Sequence, residues 1–131
     1  MRVPSPTVPV FCVPLIYTPQ VTVDVADAAV KQRIPFDCEL LGVTGSVRAI
    51  GGDVAPTDLD AQVMIDTTEI VAALALVDGS AIARPDGTLA VSGTGLKFSA
   101  GSFCHLKLLN VTGGTNPTAD GVQVLVWFAR R

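Results

Sequence analysis

The chain has 131 residues, enough for one domain, and at that size roughly 65–70% of the unfolded surface can be buried without a metal or disulfide staple. Hydrophobic residues make up 49% and charged residues 16%, which excludes disorder and leaves part of the outer surface expecting a partner. A net charge of −3 with scattered basic residues argues against nucleic-acid binding, and no stretch reaches the roughly 20 apolar residues of a membrane span.

The first 20 residues contain Pro4, Pro6, Pro9, Pro14 and Pro19, so they are expected to be extended and unable to form a full hydrogen-bond ladder. They also carry Val10, Phe11, Leu15, Ile16 and Tyr17, more apolar than a free tail. Two readings stay open for this segment: an edge strand leading into the domain, and an arm lying on a neighbouring subunit. The domain division that follows is an extended arm over 1–20 and a β-sandwich domain over 21–131.

Val21, Val23 and Val25 alternate with polar residues and predict a half-buried strand, while 26–33 fits either a helical turn or a second strand. A strand is expected from Ile34 to Val47, with Gly42 and Gly45 at bulges or bends. After the turn at Gly51-Gly52-Asp53, Ala61 to Ile65 is a short strand. The run from Asp66 to Val77 has helical spacing and a capping-box pattern, but Asp66-Thr67-Thr68 also makes a hairpin turn, and strand is the reading taken. Short runs separated by glycines, at 81–83, 89–91 and 96–98, continue the strand series. From Phe103 to Val111, Cys104, Leu106 and Leu108 share one face. In the last strand, Val122, Val124, Val126 and Phe128 alternate with Leu125 and Trp127, so both faces are apolar. One face can fill the core. The other predicts a subunit interface at Leu125 and Trp127, against the alternative of a Trp covered by its own chain. The whole pattern predicts an all-β, antiparallel two-sheet sandwich of jelly-roll type.

Chemistry-bearing residues are sparse. His105 is the one histidine, no metal-ligand spacing occurs, and neither catalysis nor a cofactor is expected. Asp53, Asp58 and Asp60 fall in one loop without the spacing of a calcium loop. Ser92-Gly93-Thr94-Gly95 lacks the order of a phosphate loop. Cys12, Cys38 and Cys104 are widely spaced and odd in number, as suits free thiols in a reducing compartment; with no convincing signal peptide, synthesis in a cytoplasm is expected.

The segments IPFDCELLGVTGSV (Ile34 to Val47), AQVMIDTTEI (Ala61 to Ile70) and FSAGSFCHLKLLNVTGGTNPTADGVQVLVWF (Phe98 to Phe128) together resemble small jelly-roll head decoration (cement) proteins and fibre modules of tailed phages. Gly101, Leu106, Leu108 and Val111 hold one set of matching positions, and Val124, Val126 and Phe128 another. The resemblance implies a virion structural protein on the outer capsid surface, made in the host cytoplasm. Its implied partners are itself, as a homotrimer, and the major capsid protein. A tail or head fibre module that binds a host receptor or carbohydrate is the alternative it leaves.

Overall fold

Apolar side chains at every second position write the strands of this molecule. In Asp58–Ile65 the residues Leu59, Ala61, Val63 and Ile65 are buried while those between are half-exposed, the signature of a sheet with one covered face. The computed structural model describes residues 8–131, and all their side chains except those at 27–29 and 110. The strands are β1 (Val10–Tyr17), β2 (Val25–Arg33), β3 (Cys38–Ser46), β4 (Ala49–Gly51), β5 (Asp58–Ile65), β6 (Thr68–Asp78), β7 (Ala81–Ile82), β8 (Lys97–Phe98), β9 (Phe103–Thr112), β10 (Thr118–Asp120) and β11 (Val122–Arg130). A single 3₁₀ turn, Gly93–Leu96, is the only helical element among the described residues.

Two antiparallel sheets hold most of the chain. One has the order β1-β11-β3-β8, the other β2-β9-β5-β6-β7, and β10 pairs with β4 as a small ribbon. The pairing is nested: β1 with β11, β2 with β9, β3 with β8, and the hairpin β5–β6 innermost. Val13, Leu15, Leu40, Val43, Val124, Val126 and Phe128 from the first sheet and Leu59, Val63, Leu74, Leu76, Leu106 and Leu108 from the second join in one core cluster. Among the described residues, no polar or charged one is buried in it.

Some expectations hold and others change. Within the expected arm, Val10–Tyr17 is a full strand of the first sheet, because Val13 and Leu15 alternate into the core; residues 1–7 lie outside the described residues. The strand expected over Gln20 to Val25 reduces to one bridge, Val21 with Ala119, and to Val25 as the first residue of β2, with Val23 68% exposed between them; the strand is the ambiguous stretch that follows. The strand reading of this run holds from Thr68 on, and Asp66-Thr67 is the turn: Asp66, at φ 50°, turns the β5–β6 hairpin, and its carboxylate accepts from the backbone N–H of Phe103 at 2.9 Å. That bond is the chemistry the capping-box pattern was imitating. Residues 89–91 form no strand. The bulge expected near Gly42 is present, where β3 steps from Leu40 opposite Phe128 to Gly42 opposite Trp127. At Gly45 a Cβ would stand 2.7 Å from Leu74 and Leu76 Cδ2, so glycine there lets the second sheet close over β3.

Candidate interaction surface

The outer face of the first sheet is set by the parity that the core leaves over. Since Val13 and Leu15 point inward, Val10, Cys12, Pro14 and Ile16 point outward; since Val124, Val126 and Phe128 point inward, Gln123, Leu125 and Trp127 point outward. Register then joins them across the strands: Cys12 is opposite Trp127, Pro14 opposite Leu125 and Ile16 opposite Gln123. On the other side of β11, Gly42, Thr44 and Ser46 stand opposite Trp127, Leu125 and Gln123. The result is a three-strand face without a charged residue along these pairs.

Its largest member is already satisfied. The Trp127 indole N–H donates to Thr44 Oγ1 at 2.9 Å, across the sheet and within the face. A partner can therefore cover the half-buried ring without stranding a donor, which makes Trp127 suited to an apolar contact. Beside it, Leu125 lines a shallow depression of about 310 Å³ with Thr44, Gly45, Ser46, Gln123 and Arg84.

The free edge of β1 is not open to strand addition along its length. Arg130 N–H donates to Pro9 O at 2.9 Å, and in an antiparallel ladder the bonded pairs alternate, so Val10, Cys12, Pro14 and Ile16 turn their backbone groups to the free edge. Pro14 has no N–H to offer there. The outward apolar groups of this sheet therefore lie on its face rather than along an open edge.

Of the residues expected from sequence to meet a partner, Val10 (46% exposed), Ile16 (51%), Leu125 and Trp127 come together on this face. Phe11, Leu15 and Tyr17 do not. Leu15 is fully buried in its own core; Phe11 stacks on Phe128 at 5.4 Å and meets Phe36 edge-on at 5.6 Å; Tyr17 packs partly buried against the core. Their parity in β1 sends them inward. Cys12 and Pro14 were missed, although the period of two that unites Val10 with Ile16 passes through both.

No family model, curated protein or solved structure matches this chain. Its chemistry therefore has to be read from its own residues. Among those described, no group of three or more His, Cys, Asp or Glu side chains could hold a metal ion. Of the carboxylates considered for calcium, Asp53 accepts from Asn116 Nδ2 at 2.8 Å. Asp60 instead lies near Asp58 and Asp78; its burial, then their charges, push its carboxyl above the usual range. Cys38 and Cys104 are fully buried, and burial pushes their thiols up to about 11 and about 12. Thiols held neutral in this way are poor nucleophiles. No helix is long and apolar enough to cross a membrane among the described residues.

Proposed function

We propose that this chain is a virion structural module, a decoration or cement protein that binds the outer surface of a tailed-phage head as an oligomer and stabilises it. We also assign its sandwich to the jelly-roll type. The nested pairing supports that assignment: counting the eight principal strands in chain order, first pairs with last (β1–β11), second with seventh (β2–β9), third with sixth (β3–β8), and fourth with fifth (β5–β6). Rolling up such a nested ladder produces the two four-stranded sheets of a jelly roll, here with β7 added at one edge.

The observation that carries the functional reading is the outer face of β1, β11 and β3, apolar along its central pairs and flanked by Arg84, with Ile16, Leu125 and Trp127 presented on a fold whose core is complete without them. Its size decides how it would be used. Three strands about 4.8 Å apart and eight residues at about 3.3 Å each give a face of about 14 by 26 Å, close to 370 Å². Two such surfaces bury about 750 Å² together, below the roughly 1,200 Å² of a stable standalone complex. One copy on one site would bind weakly. Many copies held together on a repeating shell gain through avidity what one contact lacks.

The test is to measure the thermal and osmotic stability of purified shells with and without the protein, with its stoichiometry per particle. Many copies per shell and raised stability are expected. A few copies at the tail with unchanged shell stability would overturn the cement reading and favour a fibre module.

A further inference from the structure

The outer face of the first sheet changes character toward one end. Its central pairs, Cys12 with Trp127 and Pro14 with Leu125, are apolar, but Ile16 is opposite Gln123 and Gln123 is opposite Ser46. Two depressions meet at Gln123. One is the hollow of about 310 Å³ walled by Arg84; the other, of about 450 Å³, has Ile16, Tyr17, Gly121 and Arg48 around it. The bare backbone of Gly121 lets Arg48 lie there, because a Cβ at 121 would stand 2.7 Å from Arg48 Cβ and 3.2 Å from its Nε. The two arginines therefore frame one polar trough beside the apolar pairs.

Other described arginines are engaged by their own chain. Arg33 lies over the Phe103 ring at 4.4 Å, Arg130 over the Phe36 ring at 4.1 Å, and Arg131 donates to Phe98 O at 3.1 Å. The guanidiniums of Arg48 and Arg84, both exposed, have no hydrogen bond, ion pair or ring contact among the described residues. Two carboxylates stand near the trough. Asp120 accepts from Gln20 Nε2 at 3.2 and 3.4 Å, while Asp86, exposed opposite Thr44, forms no ion pair with Arg84. Two unengaged cations thus face one unengaged carboxylate.

A partner laid along this face from Trp127 to Gln123 takes both guanidiniums out of water. A charge removed from water without a pairing group is costly, more so than the neighbouring apolar contact can offset. We infer, resting on the capsid reading, that the surface under this face is acidic at one end: the shell protein brings carboxylates to Arg48 and Arg84 while its apolar groups cover Leu125 and Trp127. Guanidinium suits this role because it takes a carboxylate through two parallel N–H bonds. The apolar pairs supply contact area without direction, and the two arginines at one end fix which way round the module sits. Asp86 opposes the contact, since its charge repels an acidic partner.

The experiment is co-sedimentation of the full chain with purified shells at several salt concentrations, after the native melt of each variant is checked. Wild-type affinity is expected to fall about tenfold or more between about 50 and about 300 mM salt. Arg48→Gln and Arg84→Gln should each weaken binding about tenfold at low salt, and the double variant should bind weakly with little salt dependence. Asp86→Asn should bind more tightly than wild type. Polyglutamate should compete with wild type for the shell and leave the double variant unaffected. Wild type that binds shells without salt dependence, or arginine variants that bind as wild type does, would overturn the acidic partner and leave the cement reading standing. Wild type that binds no shell at any salt would overturn both. A polyuronate held by the free protein more tightly than polyglutamate would also overturn the acidic partner, assigning the two arginines to an acidic glycan.

Discussion

Cys12, Cys38 and Cys104 show how one residue type divides by parity alone. Cys12 points to the outer face of β1 and is partly exposed, whereas Cys38 and Cys104 point into the core. In the native protein a soluble thiol reagent should modify one cysteine, Cys12, and all three only after denaturation; fast native labelling of Cys104 would contradict the burial. Their pH linkage has a definite sign. The folded values lie above the ordinary value of 9.0, so the stability from keeping the thiols neutral is complete below pH 9 and is lost as pH rises through about 11 and about 12. The denaturation midpoint should fall across that alkaline window, and Cys104→Ala should flatten the fall. Asp60 works in the same direction at acid pH, its folded value being raised by burial and by Asp58 and Asp78. Asp60→Asn is therefore expected to raise the melting temperature at neutral pH.

At the level of elements, the molecule depends on close approaches to the main chain that glycine allows. Gly45→Ala would drive a methyl to 2.7 Å from Leu74 and Leu76, and should cost about 1–3 kcal/mol in chemical denaturation. Gly114 has φ +69°, and a Cβ there would meet Val54 O at 2.3 Å, so Gly114→Ala should also be destabilising, with its effect centred on the bridge between Val54 and Thr115. The edges follow a common rule. β1 has Pro14 on its free side, β7 and β8 are two residues long, and β2 is interrupted where its register jumps from Val25 opposite Leu108 to Val30 opposite Leu106. Each device blocks edge-to-edge pairing. β1 also changes what a truncation would mean. Removing the residues through Pro14 deletes half of a strand that supplies Val13 to the core, so loss of binding would be accompanied by loss of stability.

For the whole molecule, the outer face of the first sheet can be tested apart from the core. Trp127→Phe removes the indole donor to Thr44 and is expected to cost about 1 kcal/mol of stability while keeping an apolar surface. Leu125→Glu should leave the native melt nearly unchanged, since its side chain lies on the outer face, and should abolish shell binding in a co-sedimentation assay. Retention of full binding would remove the face of β1, β11 and β3 from the contact.

Sequence by itself determined the strand character of most of the chain, the two apolar faces of β11 and the bulge of β3 by Gly42, though not a bend at Gly45, because a period of two and turn residues are local properties. It also marked Leu125 and Trp127 as the second apolar parity of β11, but it grouped Val10, Phe11, Leu15, Ile16 and Tyr17 without separating inward from outward. Only tertiary structure decided which apolar parity of β1 is core, since Val10 and Leu15 look equally suited to burial until pairing with Ala129 and Val124 fixes the register. It likewise decided that 26–33 is strand, through pairing with β9, and that 66–77 is not a helix, through pairing with β5. Residues as distant in sequence as Lys31 and Phe103, or Asp58 and Asp78, acquire a shared electrostatic role only when strand pairing sets them side by side, and no local pattern encodes that proximity.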